Sequence, residues 1–218
     1  MLFCFMKNDA KKTVLIDLQY LPSIQFFSTL LHFDEVRLES NEYYVKQSYR
    51  NRSYILGANK VEMLIVPVVD GNKKILVRDI QIDYQQRWTD IHWRTIKAAY
   101  GKSPFFEFFG DYFQQTLQKK PQFLWDLNFE LLTICLKLLQ VNKTISLTQT
   151  YEKDLENTVF DARGLINPKK DSESVLEYQA VAYQQNFGNE FVPNLSIIDL
   201  LFCRGNQSLG ILKKSSIK

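Results

Sequence analysis

Residues 13–40 read TVLIDLQYLPSIQFFSTLLHFDEVRLES, and this stretch restricts the fold more than any other. TVLIDL is a short apolar run bounded by polar residues, too short for a buried helix and suited to a buried strand. The following QYLPSIQFFSTLLHF carries helical spacing, and Pro22 can sit in its first turn, where a missing N–H costs nothing. DEVRLES reads as a second strand. Two strands joined by a helical crossover of this length form a βαβ unit, which makes the sheet parallel. His32 falls at the end of the crossover helix.

Farther along, MLIVPVV and ILVRDIQID flank DGNKK and read as a hairpin with Gly71 in the turn, Pro67 marking an edge or a bulge. Three helices follow. The first spans about Thr89 to Tyr100, with Gly101 expected as a left-handed C-terminal residue. The second opens at Ser103 as N-cap and Pro104 as first helical residue, and its six rings between Phe105 and Phe113 cover most of its circumference, as in a helix buried on several sides. The third carries a core stripe of Leu124, Leu127, Leu131, Ile134, Leu138 and Val141. TISLTQTY reads as a strand. From Glu152 to Val192 periodicity fades, the mark of a binding loop or a disordered segment. PNLSIIDLLF restores order as a short buried helix, with Ser196 and Asp199 spaced as a capping box and Gly205 ending it. The expected fold is α/β: a mixed, largely parallel central sheet flanked by helices in a Rossmann-like three-layer arrangement. Residues 13–212 form one domain between fraying ends at 1–12 and 213–218.

Composition excludes several classes. The net charge of +3 is small and the lysine pairs are dispersed, so a nucleic-acid partner is not expected. Three cysteines, far apart and without metal-ligand spacing, suit neither a disulfide framework nor zinc. No run reaches the roughly 18 apolar residues of a membrane span, and the start lacks the form of a signal peptide, so a cytoplasmic protein is expected. Walker, GxGxxG, GxSxG and HExxH motifs are absent, and no cofactor can be assigned.

The candidate site residues come from three places. His92 shares a helical stripe with Trp88, Ile96 and Ala99, and is either a hydrogen-bonded core-edge histidine or a general acid or base. A second stripe on the same helix holds Trp93, Lys97 and Tyr100, where a lysine between rings makes an exposed cation–π pair or holds an anion. In KQSYRNRS, an extended chain would point Lys46, Arg50 and Arg52 to one face with Asn51 between them, giving either a charged edge strand or a clamp for phosphate or carboxylate. Arg163 would reach in from the irregular segment. Asn194 stands before a helix N-terminus, where capping and anion binding use the same groups.

KQSYRNRSYILGANKVEMLIVPV, DIHWRTIKAAYGKSPFFEFF and FVPNLSIIDLLFCRG, with LIDLQYLPSIQFF and DARGLINPKK, closely resemble the WbqC-like family of bacteria, in its shorter Bacteroidetes-type form. The likeness runs from about Thr13 to Leu212. The resemblance implies work in surface-polysaccharide biosynthesis, such as that of O-antigen, on sugar nucleotides or their acyl or aminoacyl substituents. It brings no catalytic residues with it. The combined expectation is a transferase whose small anionic substrate, a sugar nucleotide or acyl donor, is held by the cationic residues beside His92. The alternative is a non-catalytic module that binds a glycan precursor or organises partner enzymes.

Overall fold

The computed structural model describes residues 11–168 and 178–217. Its centre is a parallel sheet in the order β5-β2-β1-β6, built from β1 (Thr13–Asp17), β2 (Glu35–Glu39), β5 (Thr144–Leu147) and β6 (Val159–Asp161). Every residue of β1 is buried, as an interior parallel strand covered on both faces requires. The crossover from β1 to β2 is α1 (Ile24–Leu31), so the βαβ unit stands as expected. Ser23 is the N-cap, its Oγ accepting from the Phe26 N–H, which places Pro22 just ahead of the helix. His32 closes it.

Between β2 and β5 lie a two-stranded antiparallel sheet, β3 (Arg52–Leu56) with β4 (Val61–Ile65), and three helices: α2 (Trp88–Tyr100), α3 (Phe106–Gln118) and α4 (Leu124–Leu138). After β6 come β7 (Tyr178–Gln179), α5 (Ile197–Arg204), α6 (Ser208–Lys214) and β8 (Ser216–Ile217), with β7 and β8 paired antiparallel. The fold is α/β, consistent with three layers, and the large sheet is wholly parallel. Phe26, Phe27, Phe113 and Phe202 are among its largest fully buried side chains. Each contributes roughly 2–3 kcal/mol by leaving water.

Several local expectations change. Val61–Ile65 forms its ladder with Arg52–Leu56, and contact with the following run shrinks to a bridge between Val68 and Ile82. Pro67 has no N–H to extend that pairing, and Val77–Asp79 winds into a 3-10 turn. The aromatic helix starts at Phe106, because the Phe105 N–H donates to the Phe202 carbonyl of α5 and holds the preceding turn outside the helix. It is not buried all round: Phe113 is enclosed, whereas Phe108 is 68% exposed. Gly101 is right-handed, at φ −57°. The irregular 152–192 segment supplies a sheet strand, β6, whose three residues are too few to show a period. Of the ends expected to fray, residues 1–10 lie outside the described residues. The Lys12 carbonyl accepts from the Asp34 and Glu35 N–H groups, and the stretch from Lys213 contributes the end of α6 and β8.

Gly205 ends α5 at φ 50°, and a Cβ there would stand 2.3 Å from the Phe105 ring. Gly205→Ala is therefore expected to cost on the order of 3 kcal/mol by strain and overpacking combined. Gly210, exposed within α6, has no heavy atom within 4 Å of its would-be Cβ. There alanine should add about 0.5–1 kcal/mol through helix propensity. Denaturant midpoints of the two variants should move in opposite directions.

Candidate functional site

In open α/β sheets ligands bind outside the carboxyl ends of the strands, where the strand order reverses. Here the chain runs β1, β2, β5 to one side and then adds β6 on the other, so the reversal falls between β1 and β6. The carboxyl ends carry Asp17 on β1, Glu39 on β2 and Asp161 on β6. Two arginines are drawn onto these acids from outside the sheet.

Arg50 is 3% exposed. Its Nε and Nη2 donate to Glu42 Oε1 and Oε2, each at 2.6 Å, in a two-pronged pair, and its Nη1 lies 3.6 Å from Asp17 Oδ2. Burial alone would lower the guanidinium pKa, but Asp17 and Glu42 outweigh it and drive the pKa up, so Arg50 keeps its charge. Burial raises the Glu42 pKa, against the pull of Arg50. The backbone beside this pair is tied on two sides: Asn128 of α4 donates to the Arg50 carbonyl at 2.7 Å, and the Tyr20 N–H donates to the Tyr49 carbonyl at 2.8 Å.

Arg163 spans the sheet end. Its Nε and Nη2 donate to Asp161 at 2.9 and 2.7 Å, and its Nη1 donates to Glu39 at 2.8 Å. Its guanidinium also lies 4.5 Å from the centre of the Tyr151 ring. Burial of Asp161 would raise its pKa, but the hydrogen bonds from Arg163 prevail and lower it. Glu39, fully buried, also accepts from the Asn41 N–H and the Thr148 hydroxyl. Next in the chain, Gly164 at φ 65° donates its N–H to Asp17 Oδ1 at 2.7 Å.

His92 is buried with Trp88 edge-on to its ring. Its Nδ1 pairs with the Tyr20 hydroxyl at 2.9 Å, and the Ile65 carbonyl also hydrogen-bonds the ring. Burial lowers its pKa to about 4, so the imidazole is neutral at physiological pH. Burial likewise raises the Tyr20 hydroxyl pKa.

The remaining candidate residues disperse. Lys46 is exposed in a turn: Gln47 takes φ 59° and the Ser48 hydroxyl donates to the Val45 carbonyl, so residues 46–51 are not extended and the three cations do not share a face. Asn51 donates from Nδ2 to the Val66 carbonyl. Arg52 opens β3, half-buried and near enough to Tyr44 to act on its hydroxyl electrostatically, and among the described residues its Nε has no acceptor. Trp93 stacks on Phe106, Lys97 is exposed, and Tyr100 is fully buried, donating to Asp199 Oδ1 at 2.8 Å. The Trp93–Lys97–Tyr100 stripe is thus divided between solvent and core. Asn194, at φ 54°, faces α1: it accepts from the Gln25 N–H and donates to the Gln25 side chain, each at 3.0 Å.

Asp199 does not complete a capping box. It is fully buried and accepts from Tyr100, from Tyr183 at 2.5 Å and from Gln185 at 3.1 Å. Burial raises its pKa against those three hydrogen bonds. Among the described residues no group of three or more His, Cys, Asp or Glu is placed to hold a metal ion, and no helix is long and apolar enough to cross a membrane. Cys135 and Cys203 are buried thiols.

Asp17, Glu39 and Glu42 were missed from sequence, yet Asp17 and Glu39 share a signal, an acid where an apolar strand run ends. The low pKa of His92 sets a pH dependence. In the unfolded chain histidine titrates near 6.5, so below that pH the unfolded state takes up the proton first and stability falls until about pH 4. The loss should be up to about 3 kcal/mol across that window, and His92→Gln should flatten it in urea melts at successive pH values.

The WbqC-like protein family model matches residues 19–170 and 161–211. An uncharacterised protein of Mycobacterium tuberculosis (strain ATCC 25618 / H37Rv), Rv1507c, is 25% identical over 228 residues, covering 93% of this chain and 98% of that protein. No solved structure matches. With the family's model spanning nearly the whole described chain, this protein belongs to the WbqC-like protein family.

Proposed function

We propose that this protein is a transferase-type enzyme of bacterial surface-polysaccharide biosynthesis, acting on a sugar-nucleotide or acyl or aminoacyl substrate at the carboxyl ends of β1, β2 and β6. The observation that carries this reading is the group of charged side chains concentrated where the strand order reverses, Asp17, Glu39 and Arg50 all being at least 97% buried. Burying so many charges costs several kcal/mol before pairing, an expense that core packing alone does not call for. Family membership supports the pathway, as far as the resemblance implies it.

Within this reading the roles shift. Arg50 and Arg163 are engaged by carboxylates, so they shape the site and do not clamp an anion. Arg52, with its Nε lacking an acceptor among the described residues, is the cation best placed to hold a phosphate, with exposed Lys46 nearby in sequence. His92 acts through Tyr20 as a positioning residue. The engagement of His92 by Tyr20 and Ile65 favours the second reading, a non-catalytic module that binds a glycan precursor.

Thermal-shift titration with UDP-glucose, UDP-N-acetylglucosamine and acetyl-CoA, followed by assay for donor consumption, separates the two. Under the first reading one donor stabilises the protein and is consumed. Arg52→Ala then weakens its binding about tenfold, or about 1.4 kcal/mol. Binding without consumption selects the module. If no donor moves the melting temperature, both readings fail.

A further inference from the structure

A hollow of about 340 Å³ opens on the solvent side of α2, lined by Arg87, Asp90, Trp93 and Arg94. Small-molecule sites run from roughly 300 to 1,000 Å³, so it has room for a ligand. It shares no lining residue with the carboxyl-end cluster, and what fills it does not depend on the site proposed above.

Helical spacing builds it. Arg87 (the N-cap of α2), Asp90 and Arg94 recur at intervals of three and four and form one exposed stripe, with Trp93 alongside. The two arginines differ. Arg87 is spent on Asp90: its Nε donates to Asp90 Oδ2 at 2.8 Å, and its Nη2 lies 2.7 Å from the same oxygen. Arg94 donates only from Nε, to the Asp90 carbonyl at 3.2 Å, so among the described residues its Nη1 and Nη2 have no acceptor. Two guanidiniums against one carboxylate leave the lining positive, and that carboxylate already has its partner. A cation is repelled there, whereas an anion finds an open fork.

Trp93 supplies the other half. Its half-buried indole stacks on Phe106, with 5.7 Å between ring centres and 22° between planes, and Phe106 packs on fully buried Phe202 at 5.1 Å. This chain of rings ties the indole to the core, so the part that lines the hollow is a fixed flat surface, and binding there orders little. Stacking accepts any aromatic base, while guanidinium forks match phosphate oxygens. A ligand that uses both carries a flat ring and a phosphate.

We infer that this hollow is a nucleotide site: the base stacks on Trp93, and Arg94 receives a phosphate with Arg87 beside it.

The chain has three tryptophans, so isotope labelling of the indoles gives three signals by NMR, and Trp93→Phe identifies the one that belongs to Trp93. UDP titrated into the full-length protein should shift that signal. Uridine and glucose 1-phosphate, each with only half of the required chemistry, should bind at least tenfold more weakly. Arg94→Gln, at an exposed position, should weaken UDP about tenfold and leave uridine unchanged. The inference is overturned if UDP moves none of the three indole signals in the unmodified protein, whether or not the variants fold. It also fails if uridine or glucose 1-phosphate binds as tightly as UDP, or if Arg94→Gln binds UDP like the parent. Binding at the strand ends is read through Arg52, and Arg52→Ala should leave the Trp93 titration as it was. Loss of the Trp93 shift in Arg52→Ala would place the nucleotide at the strand ends and sink only this assignment.

Discussion

An arginine with 3% of its surface exposed can be tolerated only if its partners come with it, and that condition on Arg50 organises the rest of the structure. Its partners come from separate elements: Glu42 after β2, Asp17 at the end of β1, and Asn128 of α4 holding its carbonyl. The pair therefore brings the long excursion between β2 and β5 back onto the central strand. Removing one partner of such a buried pair typically costs about 3–5 kcal/mol, because the other charge is left unmatched. The same tether fixes where Tyr20 lies, since the Tyr20 N–H donates to the Tyr49 carbonyl and the Tyr20 hydroxyl meets His92.

Asp199 solves the burial problem in the opposite way. Its partners are neutral donors from three segments, with Tyr100 on α2 and both Tyr183 and Gln185 on the stretch before α5. It sits in the first turn of α5, where free N–H groups favour negative charge. Gln185 also grips Val192 through both its donor and its acceptor, so this one carboxylate fastens the 183–192 stretch to the helical side of the fold. Burial raises its pKa, so the folded state holds that proton more tightly than the unfolded chain. The associated stability is present at low pH and lost as pH rises through the folded value. The two networks thus depend oppositely on pH from the carboxylate side, with Asp161 lowered and Asp199 raised.

How far the fold and the site were legible depended on the length of the local signal. β1, α1 and β2 were plain, because one face of a crossover helix and two short apolar runs carry their own periodicity. β6 was not, because three residues, two half-buried and one exposed, show no period, and its place in the sheet is decided by pairing with β1 far away in sequence. Arg163 reads in sequence as a site residue for an anion, but its charge is met by Asp161, two residues before it, and by Glu39 across the sheet. Lys46, Arg50 and Arg52 looked alike in sequence. A turn with Gln47 at positive φ separates them into an exposed side chain, a buried one and a strand residue. Spacing could not reveal that turn, since KQSYRNRS contains neither glycine nor proline to announce it.

The contrast between Arg50 and Asp17 bears on how such sites are found. A cluster of cationic letters draws attention as an anion clamp, yet guanidiniums are the side chains best able to satisfy buried carboxylates, and so are often consumed by them. In an α/β sheet the strand order places an acid that ends an interior strand at the ligand-facing edge, whatever its neighbours in sequence. Asp17 meets that condition because it ends β1, which is flanked by β2 and β6. The acids that close the interior strands therefore mark this edge of the sheet better than the cationic letters do, since Arg50 is paired with Asp17 and Arg163 with Glu39.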